Sequence, residues 1–115
     1  MTVTIYHNPK CSKSRQTLAL IQEQGITPVI VEYLKDIPAA ETLSEILNKL
    51  DMDPRELMRR KEKEYAENDL ADETLSRDQL IEAMTIFPRL IERPIVLANG
   101  KAAIGRPPED VLKIL

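Results

Sequence analysis

The stretch TVTIYHNPKCSKSRQTLALIQEQGITPVIVEYL, residues 2–34, decides the fold. Its opening, Thr2-Val3-Thr4-Ile5-Tyr6, alternates β-branched and aromatic residues and reads as a strand. Asn8-Pro9 marks the turn that ends it. Beyond Cys11, the residues Thr17, Leu18, Leu20 and Ile21 lie on one side of a predicted helix, with Ser12 and Ser14 as candidate caps and Gly25 as its stop. Pro28 then opens a short apolar run, Val29-Ile30-Val31, continuing to Tyr33 and Leu34, that reads as a buried strand. Strand, helix and strand in this order make a βαβ unit, whose parallel pair requires a right-handed crossover.

Downstream the period changes to that of helices. Leu43, Ile46, Leu47 and Leu50 form an amphipathic stripe after Pro38. Asp53-Pro54-Arg55-Glu56 supplies an N-cap, a proline at the first helical position and a capping acid, so a helix carrying Leu57, Met58, Arg59 and Arg60 is expected there. Ser76-Arg77-Asp78-Gln79 opens another, with Leu80, Ile81 and Met84 inward, and Phe87-Pro88 ends it. In the last third, Ile95-Val96-Leu97 and Ala102-Ala103-Ile104 flank Asn99-Gly100, a strong hairpin signal. Pro107-Pro108-Glu109-Asp110 then leads into an expected terminal helix with Val111, Leu112, Ile114 and Leu115. The order is βαβ, a helical block, then ββα: one mixed sheet with helices packed on it.

Composition removes several classes of function. The chain has 115 residues with 16 Lys and Arg against 19 Asp and Glu, a net charge of −3 that argues against general nucleic-acid binding. One cysteine and one histidine exclude an intrachain disulfide framework and a conventional Cys/His metal cluster, and point to a reducing, cytoplasmic setting. No apolar run approaches the roughly 18 residues of a membrane helix, and MTVTIYHNPK lacks a signal-peptide core. No phosphate-binding glycine loop occurs among only three glycines. A single monomeric domain is expected.

Cys11 stands out against this background. A free cysteine is often only a small buried hydrophobe. This one falls just past the first strand, at the mouth of a helix, where unpaired amides favour a thiolate and bind oxyanions. His7 lies four residues earlier and offers either a structural imidazole or a neighbour able to favour the thiolate or relay a proton. Ser12, Ser14 and Arg15 read as caps and a solvated charge, or as parts of an oxyanion cradle. Arg93 and Arg106 each precede a proline at the outer ends of the expected hairpin, whose antiparallel pairing brings them together. Arg59 and Arg60 offer a third guanidinium, and either is a candidate to face inward. Guanidinium is a planar fork of donors suited to tetrahedral oxyanions.

Three segments together resemble the glutaredoxin-coupled arsenate reductases: Tyr6-His7-Asn8-Pro9-Lys10-Cys11-Ser12-Lys13-Ser14-Arg15, Glu92-Arg93-Pro94-Ile95-Val96 and Gly105-Arg106-Pro107. The resemblance runs over essentially the whole chain, although longer members continue past the final helix where this chain stops at Leu115. It implies an α/β, thioredoxin-like fold with a four-stranded mixed sheet (βαβ–helical insertion–ββα), one domain over residues 1–115 and an insertion over about 39–87. It implies a cis Arg93-Pro94 peptide, Cys11 as nucleophile, His7 as the histidine that favours the thiolate, and Arg59, Arg93 and Arg106 as the oxyanion-binding arginines. Aligning Arg55-Glu56-Leu57-Met58-Arg59 with the family's helix selects Arg59 over Arg60. The activity implied is reduction of arsenate to arsenite, with no bound cofactor or metal. A lone cysteine has no internal thiol to resolve its adduct, so an external thiol is needed, and the resemblance implies glutathione as co-substrate and glutaredoxin as partner. Two alternatives stay open: a glutathione-dependent oxidoreductase with another substrate, and a non-enzymatic RNA-polymerase-binding regulator. The latter is disfavoured because Ser14 stands where such regulators carry a second cysteine.

Overall fold

The computed structural model describes residues 2–115. They fall into two compact units, one of Met1–Asp36 with Arg93–Leu115 and one of Ile37–Glu92. In the first, β1 (Thr4–Tyr6), α1 (Ser12–Glu23) and β2 (Val29–Val31) form the βαβ unit. It is completed by β3 (Ile95–Ala98), β4 (Lys101–Ile104) and a 3₁₀ segment, Pro108–Ile114. The sheet order is β2-β1-β3-β4, with β1 and β2 parallel and the other pairs antiparallel. This four-stranded mixed sheet agrees with the thioredoxin-like expectation.

The alternation in β1 does what a half-buried strand requires: Val3 and Ile5 enter a core with Ile21 of α1, Val96 and Ala98 of β3, and Val111. The hairpin closes through Asn99 (φ 55°) and Gly100 (φ 74°), the left-handed pair that a type I′ turn demands. Two expectations are corrected here. The run Val29-Ile30-Val31 is a strand, but it lies at the sheet edge with β1 as its sole neighbour. Val29 and Ile30 are therefore 53% and 47% exposed, whereas Ile5, the ladder partner of Ile30, is fully buried. The apolar run thus reports β propensity rather than burial. The terminal helix is a 3₁₀ helix, with Asp110 N–H donating to Pro107 O at 3.0 Å.

The second unit holds α2 (Ala40–Leu50), α3 (Pro54–Leu57), α4 (Lys63–Glu67), α5 (Arg77–Ile86) and a 3₁₀ turn, Pro88–Leu90. α2 buries Leu43, Ile46 and Leu47, and α5 buries Leu80, Ile81, Ala83 and Met84. Both capping boxes form, Asp53 with Glu56 and Ser76 with Gln79. The helix expected to run from Asp53 through Arg60 stops at Leu57, however. Met58 turns extended and bridges Ile91, Arg59 N–H donates to Leu90 O at 2.6 Å, and Glu92 N–H donates to Leu57 O at 2.8 Å. This bridge captures backbone groups that a longer helix would have used itself, so Arg59 and Arg60 lie outside any helix. Among the described residues no helix is long and apolar enough to cross a membrane.

The contrast between Ile5 and Ile30 is measurable. Ile5→Ala should lower unfolding free energy by about 2–5 kcal/mol in urea titrations. Ile30→Ala, on the edge strand, should cost less than about 1 kcal/mol. Equal losses would contradict the edge position of β2.

Candidate active site

The site grows out of the β1–α1 turn. His7 N–H donates to Val31 O at 2.8 Å, extending the parallel pairing by one residue. The chain then bends at Asn8, whose carbonyl accepts from Cys11 N–H at 3.0 Å and whose Oδ1 accepts from Lys10 N–H at 3.0 Å. Arg15 Nη1 donates to Pro9 O at 2.9 Å, tying α1 back to the turn. These bonds set Cys11 as the N-cap residue of α1, with extended backbone angles. Neither Ser12 nor Ser14 caps the helix. Ser14 points back at the turn instead: its Oγ accepts from Asn8 N–H at 3.0 Å and lies 2.6 Å from His7 Nδ1.

Burial, the largest effect on His7, lowers its pKa; the Glu32 carboxylate raises it and Arg15 lowers it, with a net fall from the ordinary value. The net shift favours the neutral ring. With Asn8 N–H already donating to Ser14 Oγ, the single hydroxyl proton is free to donate to Nδ1 of a ring protonated at Nε2. His7 thus bears on Cys11 through Ser14, whose amide faces the sulfur.

Cys11 is buried, at 9% exposure. Burial pushes its thiol pKa up. The Ser14 amide, the Arg93 charge, the Lys13 amide and the Arg106 charge pull it down, and together they outweigh burial. Arg106 Nη2 lies 3.7 Å from Sγ, while its Nε donates to Arg93 O at 2.9 Å. The two arginines meet because Ile95 pairs with Ile104 at the open end of the hairpin. Arg93-Pro94 and Arg106-Pro107 are both cis peptides.

Cys11, His7, Ser14, Arg93, Pro94 and Arg106 thus come together within the first unit. Arg59 belongs to the second, where Nη1 pairs with Glu62 at 2.5 Å and Glu62 also reaches Arg89 at 3.4 Å. Arg60 is exposed and donates from Nε to Arg55 O at 3.1 Å. Among the described residues no group of three or more His, Cys, Asp and Glu side chains is placed to hold a metal ion. Sequence reasoning marks Asn8-Pro9 as a turn without its hydrogen bonds, and overlooks Glu62 as the partner of Arg59 and the contact between Thr17 and Gly105. Asn8 has a usable signal, since Asn before proline commonly bonds its own backbone two residues on.

Comparisons with known proteins place the chain as a whole. Residues 6–114 fit the model of the ArsC family. The chain belongs to the ArsC family. It is 48% identical over 116 residues to the arsenate reductase of Haemophilus influenzae strain Rd, covering 100% of both chains. It is 57% identical to the uncharacterized protein YfgD of Escherichia coli K12, over 98% of this chain and 96% of that one. Among solved structures, the arsenate reductase from Vibrio cholerae superimposes with a TM-score of 0.97 at 53% identity, covering 100% of this chain and 98% of the other.

The electrostatics of this family member give two pH-dependent expectations. Iodoacetamide reacts with the thiolate, so alkylation of Cys11 should accelerate with pH along a profile whose midpoint lies below that of an unperturbed cysteine. Arg106→Ala removes a charge that lowers the thiol pKa and should move that profile to higher pH; a superimposable profile would remove Arg106 from the thiol's surroundings. For His7 the folded pKa lies below the unfolded one, so the unfolded chain binds its proton first. Its contribution therefore destabilises the fold as pH falls below about 6.5. In urea titrations between pH 7 and pH 5, His7→Gln should lose less stability than the parent.

Proposed function

We propose that this protein reduces arsenate to arsenite with Cys11 as the nucleophile. The observation that carries the reading is the meeting of a thiol biased toward thiolate with the guanidinium of Arg106 at 3.7 Å and the charge of Arg93. The same cluster answers both needs of the first step: a reactive sulfur and fixed positive charge for a tetrahedral oxyanion. Relatives such as the H. influenzae protein bear the name of this activity over their whole length.

In the proposed sequence, the Cys11 thiolate attacks arsenic(V), an As–S bond forms, and one arsenate oxygen departs as water after protonation. Arg93 and Arg106 hold the remaining oxygens. By resemblance to the family, Arg59 is assigned to the same oxyanion. A glutathione thiolate then attacks Cys11 Sγ, and the As–S electron pair passes to arsenic, which leaves as arsenite. Cys11 and glutathione are left as a mixed disulfide. A glutaredoxin thiol clears it by exchange and regenerates Cys11. The external thiols are required because Cys11 is the only cysteine in the chain. Their supply places the reaction in the reducing cytoplasm. One protomer suffices, and no metal or organic cofactor takes part.

The test is arsenite formation by the purified protein with arsenate, glutathione and glutaredoxin. Cys11→Ser should abolish turnover while circular dichroism stays that of the parent; turnover by that variant would sink the nucleophile assignment. Loss of one charge-assisted hydrogen bond costs about 1.5–3 kcal/mol. Arg93→Ala, Arg106→Ala and Arg59→Ala should accordingly each lower kcat/KM by about tenfold to a hundredfold. Unchanged values for the first two would show that arsenate does not sit between them.

A further inference from the structure

The turns that carry Arg93 and Arg106 pack against α1 at one side chain. Ser14, Thr17 and Ile21 form the buried stripe of that helix, and Thr17 is fully buried. Its hydroxyl donates to Lys13 O at 2.8 Å, one turn back along the helix. The hydroxyl proton is thereby consumed inside α1, and toward the hairpin Thr17 presents mainly shape.

The surface that meets this shape is Gly105. A Cβ added there would collide with Thr17 Oγ1 and stand 2.8 Å from Pro94 Cγ and 3.1 Å from Thr17 Cγ2. Glycine is required here by close approach, in contrast to Gly100, which is required by its turn angle. Gly105 N–H donates to Pro94 O at 3.0 Å, so the glycine and the proline are tied to each other as well as wedged against the helix. Gly105 immediately precedes Arg106, and Pro94 immediately follows Arg93. The three-way contact therefore adjoins both guanidinium-bearing residues at the Cys11 end of the sheet.

We infer that Thr17 is the spacer between the Cys11 helix and the two arginine–proline turns, and that the volume of its side chain, rather than its hydrogen bond, sets where the Arg106 guanidinium stands relative to Sγ. Thr17 is a positioning residue in this role, since it acts through Gly105 and Pro94. The inference deepens the proposed function and rests on its reading of Arg93 and Arg106 as the charges that serve thiolate and oxyanion. Thr17→Val keeps the volume and removes the hydroxyl. Thr17→Ala removes both. Gly105→Ala forces the turn away from the helix, and combining it with Thr17→Ala removes the helix side of the clash while the contact with Pro94 Cγ stays.

The experiment measures the alkylation rate of Cys11 by iodoacetamide against pH, together with KM and kcat for arsenate. Thr17→Val should stay within about twofold of the parent. Thr17→Ala and Gly105→Ala should each move the alkylation profile to higher pH, with the rate at pH 7 falling about threefold or more, equivalent to half a pKa unit. KM for arsenate should rise more than kcat falls. Gly105→Ala/Thr17→Ala should recover part of the loss seen in Gly105→Ala. A Thr17→Ala profile that does not move, or moves to lower pH, would overturn the spacer role. So would a Thr17→Val variant as impaired as Thr17→Ala, because the hydrogen bond would then be the cause. If Gly105→Ala does not fold, the Thr17 pair decides the question alone. Alkylation involves no arsenate, so the expected order of profiles in a protein that makes no arsenite would reject the reductase reading and leave the spacer standing.

Discussion

A sulfur that must carry negative charge at 9% exposure is the constraint on which the site depends. Burial opposes the charge, and the chain offsets it with groups from three separate places in the sequence. The amides of Lys13 and Ser14 come from the start of α1, Arg93 from the entry to β3, and Arg106 from the exit of β4. None of these is near another unless the sheet closes in the order β2-β1-β3-β4. The parallel β1–β2 pair aims α1 away from the end of β1. The antiparallel β1–β3 and β3–β4 pairs carry both arginines to that same end. Fold and thiol chemistry are thus one requirement expressed at two scales.

Much of this is legible in the sequence because short-range signals there carry their own mechanism. Asn99-Gly100 can hardly do anything but turn a hairpin, and from that turn the meeting of Arg93 with Arg106 follows by geometry alone. The capping boxes at Asp53 and Ser76 mark their helix starts for a similar reason, since each satisfies its own orphan amides. Cys11 is identifiable because a strand end followed at once by a helix start fixes a local electrostatic environment.

What escapes the sequence is settled by partners distant along the chain. Nothing within Asp53–Arg60 announces that Met58 will bridge Ile91, so the local pattern carries the helix three residues too far. Val29-Ile30-Val31 has the composition of a buried strand, but edge or centre is a property of the sheet, and only strand order decides it. Ser14 reads as a cap or as part of an oxyanion cradle, and the bend at Asn8 gives its hydroxyl a further task, accepting from the Asn8 N–H. The spacing of His7 and Cys11 does not show which way the imidazole points, and in the fold its Nδ1 lies against the Ser14 hydroxyl. In each case a tertiary contact outweighs a correct local preference.

The half-open character of the site follows from the chemistry assigned to it. Deeper burial of Cys11 would strengthen the pull of Arg93 and Arg106, but it would raise the desolvation cost of the thiolate at the same time, and the sulfur would revert to a thiol. In the proposed reaction it would also shut out the second thiol, which has to come from solution. Full exposure fails for the opposite reason, because water screens the guanidinium charges and the oxyanion loses its fixed partners. Arg106 is exposed and Arg93 half-buried, while Cys11 is buried at 9% exposure. In the proposed reaction Cys11 has to meet an external thiol as well as its oxyanion, and the close approach of Gly105 to Thr17 and Pro94 adjoins both arginines assigned to it.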